Sequence, residues 1–275
     1  MPRERFEQIT RNLHFVSSEA AHLEDDQLWK LRPVIDMFGD VFREVFVPEQ
    51  NISIDKSLWK FRGRLFFKTY NPSKRARFGL KVYKLSASEG PCAGYTSVFR
   101  IYAGKDKGSI PSSQWAVMDL MERGGYIWKG YNMYCDNWYT SPTLFHFLQS
   151  RKMGAVGTVR SNWRFMPKDF KVSRKGEVAF RSSATGMLAL AWMDSKQVFM
   201  LSTIHTSQMA TVARRWGPDA SKPQCVVDYN AGMKGDLGTS SPAHTLLRKS
   251  LKWYKKSFFT CMTLPLSIDM RFLSI

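Results

Sequence analysis

Over the first fifty positions apolar residues recur every three or four. RERFEQITRNLHF (3–15) and QLWKLRPVIDMFGDVFREVF (27–46) each carry such a stripe. This spacing predicts two helices, with Pro33 tolerated near a helix start. From Asn51 the pattern changes to short β-branched or aromatic runs broken by Gly, Pro and Ser: NISID (51–55), RLFFKTY (64–70), FGLKVYKL (78–85) and GYTSVFRIY (94–102). Runs of this kind predict consecutive antiparallel strands. A helix over 112–122 follows, then a strand in YNMYC (131–135). The helix after it opens in TSPTLFHFL, where Ser141 suits an N-cap and Pro142 the first helical position. Strands are predicted in GAVGTV (154–159) and QVFMLSTI (197–204), with a basic, aromatic helix over 243–259.

The order strand, strand, strand, helix, strand, helix, strand, with a later helix, predicts an α/β fold. Its form is a ribonuclease-H-like mixed sheet flanked by helices. The chain divides into an acidic-faced helical leader (1–50), one main domain (51–259) with a basic, irregular insertion at about 160–195, and an atypical tail (260–275). With 275 residues and 44% hydrophobic content the chain can fill a proper core. No internal repeat or low-complexity segment interrupts it.

Charge sharpens this picture. The formal net charge is +18, but residues 1–50 hold six Lys/Arg against ten Asp/Glu, so the rest carries +22. From Lys56 to Lys84 there are ten basic residues and no acid: Lys56, Lys60, Arg62, Arg64, Lys68, Lys74, Arg75, Arg77, Lys81 and Lys84. A second run over 151–181 includes Arg160, Arg164 and Lys168. A third, RKSLKWYKK, holds Arg248, Lys249 and Lys252. Charge concentrated in this way predicts a polyanionic partner, because neutralising phosphates releases condensed counterions. Trp59, Phe66, Phe67, Tyr70, Trp163 and Trp253 interleave with the charges and favour nucleic acid, most of them expected to pack in the core. No signal peptide or membrane-length apolar run is seen, so a soluble, intracellular protein with no membrane partner is expected. Cys92, Cys135, Cys225 and Cys261 lie far apart, without ligand spacing, and read as buried thiols. A P-loop, a GxGxxG loop and a nucleophile elbow are all missing. His205, in STIHTS, reads as a packed, hydrogen-bonded histidine.

Where acids are scarce, their places matter. Asp55 closes NISID just before the acid-free run, and Asp136 closes the strand in YNMYCDNWYT. In a ribonuclease-H-like sheet those strands are neighbours, so both carboxylates project from one end. Paired carboxylates repel unless a divalent cation neutralises them, and Mg²⁺, with oxygen ligands and retained waters, suits a phosphodiester substrate. An Asp ahead of a Ser-Pro helix start is also a common turn or cap residue.

NISIDKSLWKFRGRLFFKTYNPSKRARFGLKVYKL, YNMYCDNWYTSPTLFHFLQSRKMGAVGTVRSNWRFMP, VFMLSTIHTS, and VVDYNAGMKGD with LLRKSLKWYKKSFF, together resemble the transposase domain of the piggyBac superfamily and its domesticated, transposable-element-derived relatives. The likeness runs over residues 5–259. It implies a catalytic core in which three aspartates bind Mg²⁺, with Mn²⁺ as substitute, to cut double-stranded DNA at transposon ends and join the freed 3′ hydroxyl to a target. Carried over by motif, these aspartates are Asp55, Asp136 and, in MKGDLGTSS, Asp236. The family's helix-opening motif reads approximately Met-Gly-Gly-Val-Asp-x-x-Asp-Gln. Here it is one residue shorter, Thr239 stands at the companion acid, and the glutamine is absent. One residue lost at a helix start rotates the rest of the helix by about 100°. The resemblance also implies a nuclear protein and makes a homodimer a candidate assembly. The family's cysteine-rich zinc module is not expected, and the tail does not follow the family's helical pattern. The alternative is a catalytically inactive, transposase-derived DNA-binding or chromatin-associated protein.

Overall fold

The run that begins NISID does not stop at its aspartate: strand β1 spans Asn51–Lys60. The computed structural model describes residues 1–17, 26–72, 77–104, 108–213, 219–239 and 252–272, and only the backbone of 234–239 and 265–272. β1 continues because β3 (Phe78–Ala87) lies antiparallel along it, from Ile52 opposite Ala87 to Lys60 opposite Gly79. On its other side β1 pairs in parallel with β5 (Asn132–Cys135), but only over Asn51–Ile54. β2 (Thr69–Tyr70) and β4 (Thr96–Ile101) pair with the outer edge of β3. β6 (Gly154–Thr158) lies parallel to β5. Parallel neighbours need a crossover, and α3 (Ser112–Gly124) and α4 (Pro142–Gln149) supply the two required. The result is the expected mixed sheet flanked by helices.

RLFFKTY forms a strand only at Thr69 and Tyr70. In the segment 160–195, residues 160–177 are irregular as expected, but β7 (Val178–Ser182) and β8 (Leu188–Met193) join the main sheet through β9 (Gln197–Ser202). The reason is apolar content: LALAW is buried along its whole length, so both faces of β8 are covered. A separate hairpin of β10 (Met209–Val212) and β11 (Ala220–Pro223), not anticipated from the sequence, leads into α5 (Gln224–Thr239).

Alternation on the strands divides the core. Ile52, Ile54, Met133 and Cys135 pack with Leu120 of α3 and Leu144 of α4 on one face. Tyr134, Val156, Leu190 and Met200 pack with Cys225 and Val226 of α5 on the other. A third cluster joins Trp59, Leu80 and Phe99 to Phe42 of α2 (Arg32–Val45) and to Tyr254 and Cys261 of α6 (Trp253–Phe272).

Helix α6 runs on into the tail, through Phe272. Its expected start at 243 lies outside the described residues. Lys255 on this helix is buried, and its Nζ donates to the carbonyls of Thr10 (2.9 Å) and Arg11 (2.7 Å). It thereby satisfies the open C-terminal turn of α1 (Arg3–Asn12). The cysteines are free thiols; Cys135, Cys225 and Cys261 are buried, whereas Cys92 is only half-buried.

Candidate functional site

Parallel pairing of β1 with β5 ends at Ile54 opposite Cys135. The next residue on each strand is an aspartate. Asp55 and Asp136 therefore stand side by side, close to one strand spacing of ~5 Å apart at their Cα atoms. The two strands part here for different reasons: β1 stays extended against β3, with Asp55 opposite Lys84, while β5 breaks into a turn.

Asp136 builds that turn. Its Oδ1 accepts from the Trp138 amide at 2.9 Å, and its carbonyl accepts from the Tyr139 and Thr140 amides, each at 3.1 Å. Ser141 then caps α4 by accepting from the Leu144 amide at 3.2 Å, with Pro142 in the first turn, as the sequence predicts. The second carboxylate oxygen, Oδ2, meets Lys56 Nζ at 3.1 Å, and that ammonium lies 4.7 Å from the Trp138 ring centre. Lys56 thus serves the acid pair as well as belonging to the basic run.

Two tyrosines, Tyr139 buried and Tyr229 half-buried, bracket the acids. Burial first, then the charges of Asp55 and Asp136, hold the Tyr139 hydroxyl well above its ordinary range. Its oxygen has no hydrogen-bond partner among the described residues. On the opposite side, Tyr229 of α5 is pushed up to about 12, by burial chiefly, with Cys135, Asp136 and Asp55 adding to it. Helix α5 therefore passes over the acid pair. It comes close because Gly232 lies on the ring of Tyr134, where an added Cβ would sit 2.6 Å from Cγ.

Asp236 lies near the C-terminal end of α5, not in a helix-opening turn as its motif implies, because α5 already begins at Gln224. Its side chain is outside the described residues. Of the described side chains on this helix, Tyr229 and Met233 pack toward the sheet, as does the backbone at Gly232. Among the described residues no three His, Cys, Asp or Glu side chains form a metal-binding group.

Further basic residues follow along the strands that carry or adjoin the acids. Beyond Asp55, β1 runs five more residues, about 17 Å at strand rise, to exposed Lys60, Arg62 and Arg64, with exposed Arg77 across the hairpin. β6 ends beside Asp136, since Gly157 pairs with Cys135, and leads directly to exposed Arg160, Arg164 and Lys168. Lys68 is half-buried, donating to the Gly63 carbonyl at 3.0 Å. Lys252 is exposed at the start of α6, and Lys84 is buried. Lys74, Arg75, Arg248 and Lys249 lie outside the described residues.

Ser202, His205 and Asp228 form a hydrogen-bonded row, with Oγ to Nδ1 at 2.7 Å and Nε2 to Oδ2 at 2.9 Å. The residue types are those of a hydrolase triad, but Ser202 is fully buried and its Oγ already accepts from the Ile204 and His205 amides. The row anchors the first turn of α5, where Gln224 also donates to Asp228 at 2.7 Å. His205 is thus the packed, hydrogen-bonded residue its setting suggests.

A mixed sheet of this order, flanked by helices, is of the ribonuclease-H-like type. A family model described as Transposase IS4 matches residues 1–266. The human PiggyBac transposable element-derived protein 3 is 26% identical over 286 residues, covering 97% of this chain and 47% of that protein. The human Chimeric ERCC6-PGBD3 protein is also 26% identical, covering 97% of this chain and 26% of its own length. A piggyBac transposase, solved by cryo-EM as a synaptic complex with hairpin DNA, superposes with a TM-score of 0.85 at 25% identity, over 98% of this chain and 56% of that one. The chain belongs to the Transposase IS4 family, as a domain of the piggyBac type. It spans about half or less of the length of these curated relatives. No helix among the described residues is long and apolar enough to cross a membrane.

Sequence reasoning missed Tyr139 and Tyr229. The aromatic crowding after Asp136 was a signal for the first; Tyr229 is distant in sequence and gave none.

Proposed function

We propose that the chain is a metal-dependent DNA strand-cleavage and strand-transfer domain, with Asp55, Asp136 and Asp236 as its acids. The carrying observation is the adjacency of Asp55 and Asp136 where parallel pairing ends. The packing of α5 is in keeping with a third acid on that helix: its start packs on β8 and β9, Gly232 lies on β5, and the helix also contacts β1.

The donors fit a hard cation. Two carboxylates offer oxygen ligands, and the buried Tyr139 hydroxyl beside them has no hydrogen-bond partner among the described residues. A divalent ion, Mg²⁺ with Mn²⁺ as substitute, supplies charge neutralisation at the phosphodiester and activation of its attacking oxygen. The chain's own residues do the rest. Asp55 is held by the β1–β3 ladder, and Asp136 by its turn. Lys60, Arg62, Arg64, Arg160, Arg164 and Lys168 hold the DNA backbone across the acids. Lys56 balances the charge of Asp136 at Oδ2, an oxygen that Asp136 would share with a bound cation. Two copies acting on paired DNA ends, in the nucleus, complete the proposal, in keeping with the synaptic assembly of the solved relative.

The test is cleavage of labelled duplex DNA with Mg²⁺ or Mn²⁺, wild type against Asp136→Asn. Cleavage by the wild type alone supports the proposal; cleavage by neither, with equal DNA binding, overturns it. A second reading, a DNA-binding protein without chemistry, draws on one observation: both Asp136 oxygens are already engaged, by Lys56 and by the Trp138 amide.

A further inference from the structure

Of the aromatic residues interleaved with the first basic run, Trp59 and Phe67 are buried, but Phe66 is 89% exposed, Tyr70 55% and Phe78 40%. This is costly for three rings so close in space. Tyr70 and Phe78 lie 4.7 Å apart at a 34° tilt, forming a paired surface at the mouth of the hairpin. Phe66 and Tyr70 line a cleft of about 480 Å³ together with Lys68, Lys81 and Tyr102. That volume falls in the range of small-ligand sites, roughly 300–1,000 Å³.

The cleft is linked to the acid pair by a series of cation and ring contacts. Lys81 Nζ lies 4.8 Å from the Tyr102 ring centre and 4.6 Å from that of Trp138. Trp138 in turn lies 4.7 Å from Lys56 Nζ, which holds Asp136. From exposed rings to carboxylate, the surface alternates aromatic faces with ammonium groups. An intact duplex presents phosphates but hides its base faces in the stack, so it has no use for Phe66 and Tyr70. Unpaired nucleotides need both: phosphates for the lysines and base faces for the rings, each stack being worth about 1–3 kcal/mol.

We infer that this cleft takes unpaired nucleotides of the DNA strand that enters the acid site, stacking their bases on Phe66 and Tyr70. The inference rests on the nuclease reading above, and it concerns the form of DNA rather than the chemistry done on it. A strand held there has its sugar-phosphate backbone guided along Lys81 toward Asp136 and Asp55. Phe67, between them in sequence, is buried in the core and anchors the loop that carries the rings.

The experiment compares equilibrium binding, by fluorescence anisotropy, of a blunt duplex and of the same duplex carrying a single-stranded tail. The proteins are wild type, Phe66→Ala with Tyr70→Ala, and Phe66→Trp. Wild type should prefer the tailed DNA, and the double substitution should lose about tenfold or more on it while holding its blunt-duplex affinity. Phe66→Trp should keep the preference, and melting temperatures should match, since the rings are exposed. Equal affinity of wild type for the two DNAs, or equal loss on both in the double variant, overturns the inference. Failure of wild type to bind the blunt duplex, with the tailed preference intact, counts against the duplex-binding reading alone; failure to bind either overturns both.

Discussion

Asp136 has two separable tasks, and the substitutions Asp136→Asn and Asp136→Ala divide them. In the turn, Oδ1 accepts the Trp138 amide at 2.9 Å, a role an asparagine amide oxygen can keep. What asparagine loses is the charge beside Lys56. The side chains of that pair are 27% and 31% exposed, so its worth is about 0–1 kcal/mol, and Lys56 retains its place over Trp138. For a chain of this size 1 kcal/mol shifts the melting temperature by roughly 2–4 °C, which bounds the expected loss for Asp136→Asn. Asp136→Ala also strands the Trp138 amide and should cost about 1 kcal/mol more. Activity should respond in the opposite proportion. On the metal role proposed above, either change should lower cleavage by at least about 10²-fold, so the asparagine variant is expected to be folded and inactive. Differential scanning fluorimetry beside cleavage of end-labelled duplex reads both. Undiminished cleavage by Asp136→Asn refutes the catalytic role; equal destabilisation by both substitutions refutes the account of the turn.

Gly232→Ala should drive α5 away from Tyr134, costing about 1–3 kcal/mol by overpacking, and reduce cleavage more than DNA binding; an unchanged melting temperature would contradict the close packing. Replacing Arg62 and Arg64 together by Ala should flatten the dependence of log binding constant on log salt by about 2, whereas an unchanged slope removes them from the DNA contact. Burial raises the thiols of Cys135, Cys225 and Cys261 from 9.0 to about 12, and the hydroxyls of Tyr134 and Tyr229 from 10.0 to about 12. The unfolded chain therefore loses these protons first, and the stability they lend is whole below pH 9 and falls as pH rises toward 12. A melting temperature that stays flat through that window disproves their burial.

Local pattern alone determined a good deal of this protein. The strand periodicity after Asn51, the Ser141 cap with Pro142 behind it, and the two scarce acids at Asp55 and Asp136 are all read from neighbours within a few residues. Those features survive because they depend on backbone propensity and short-range hydrogen bonds. Other features depended on contacts distant in sequence. β1 runs past Asp55 to Lys60 because β3 pairs with it, and LALAW joins the sheet because β7 and β9 pair along its edges while its two faces are buried in different core clusters. RLFFKTY has the composition of a strand, yet β3 pairs with only its last two residues, leaving Phe66 exposed. The setting of the acids was decided in the same way. Lys56 on Asp136, Tyr139 beneath the pair and Tyr229 above it come from three separate segments, and burial and pairing among such segments exist only once the chain has folded.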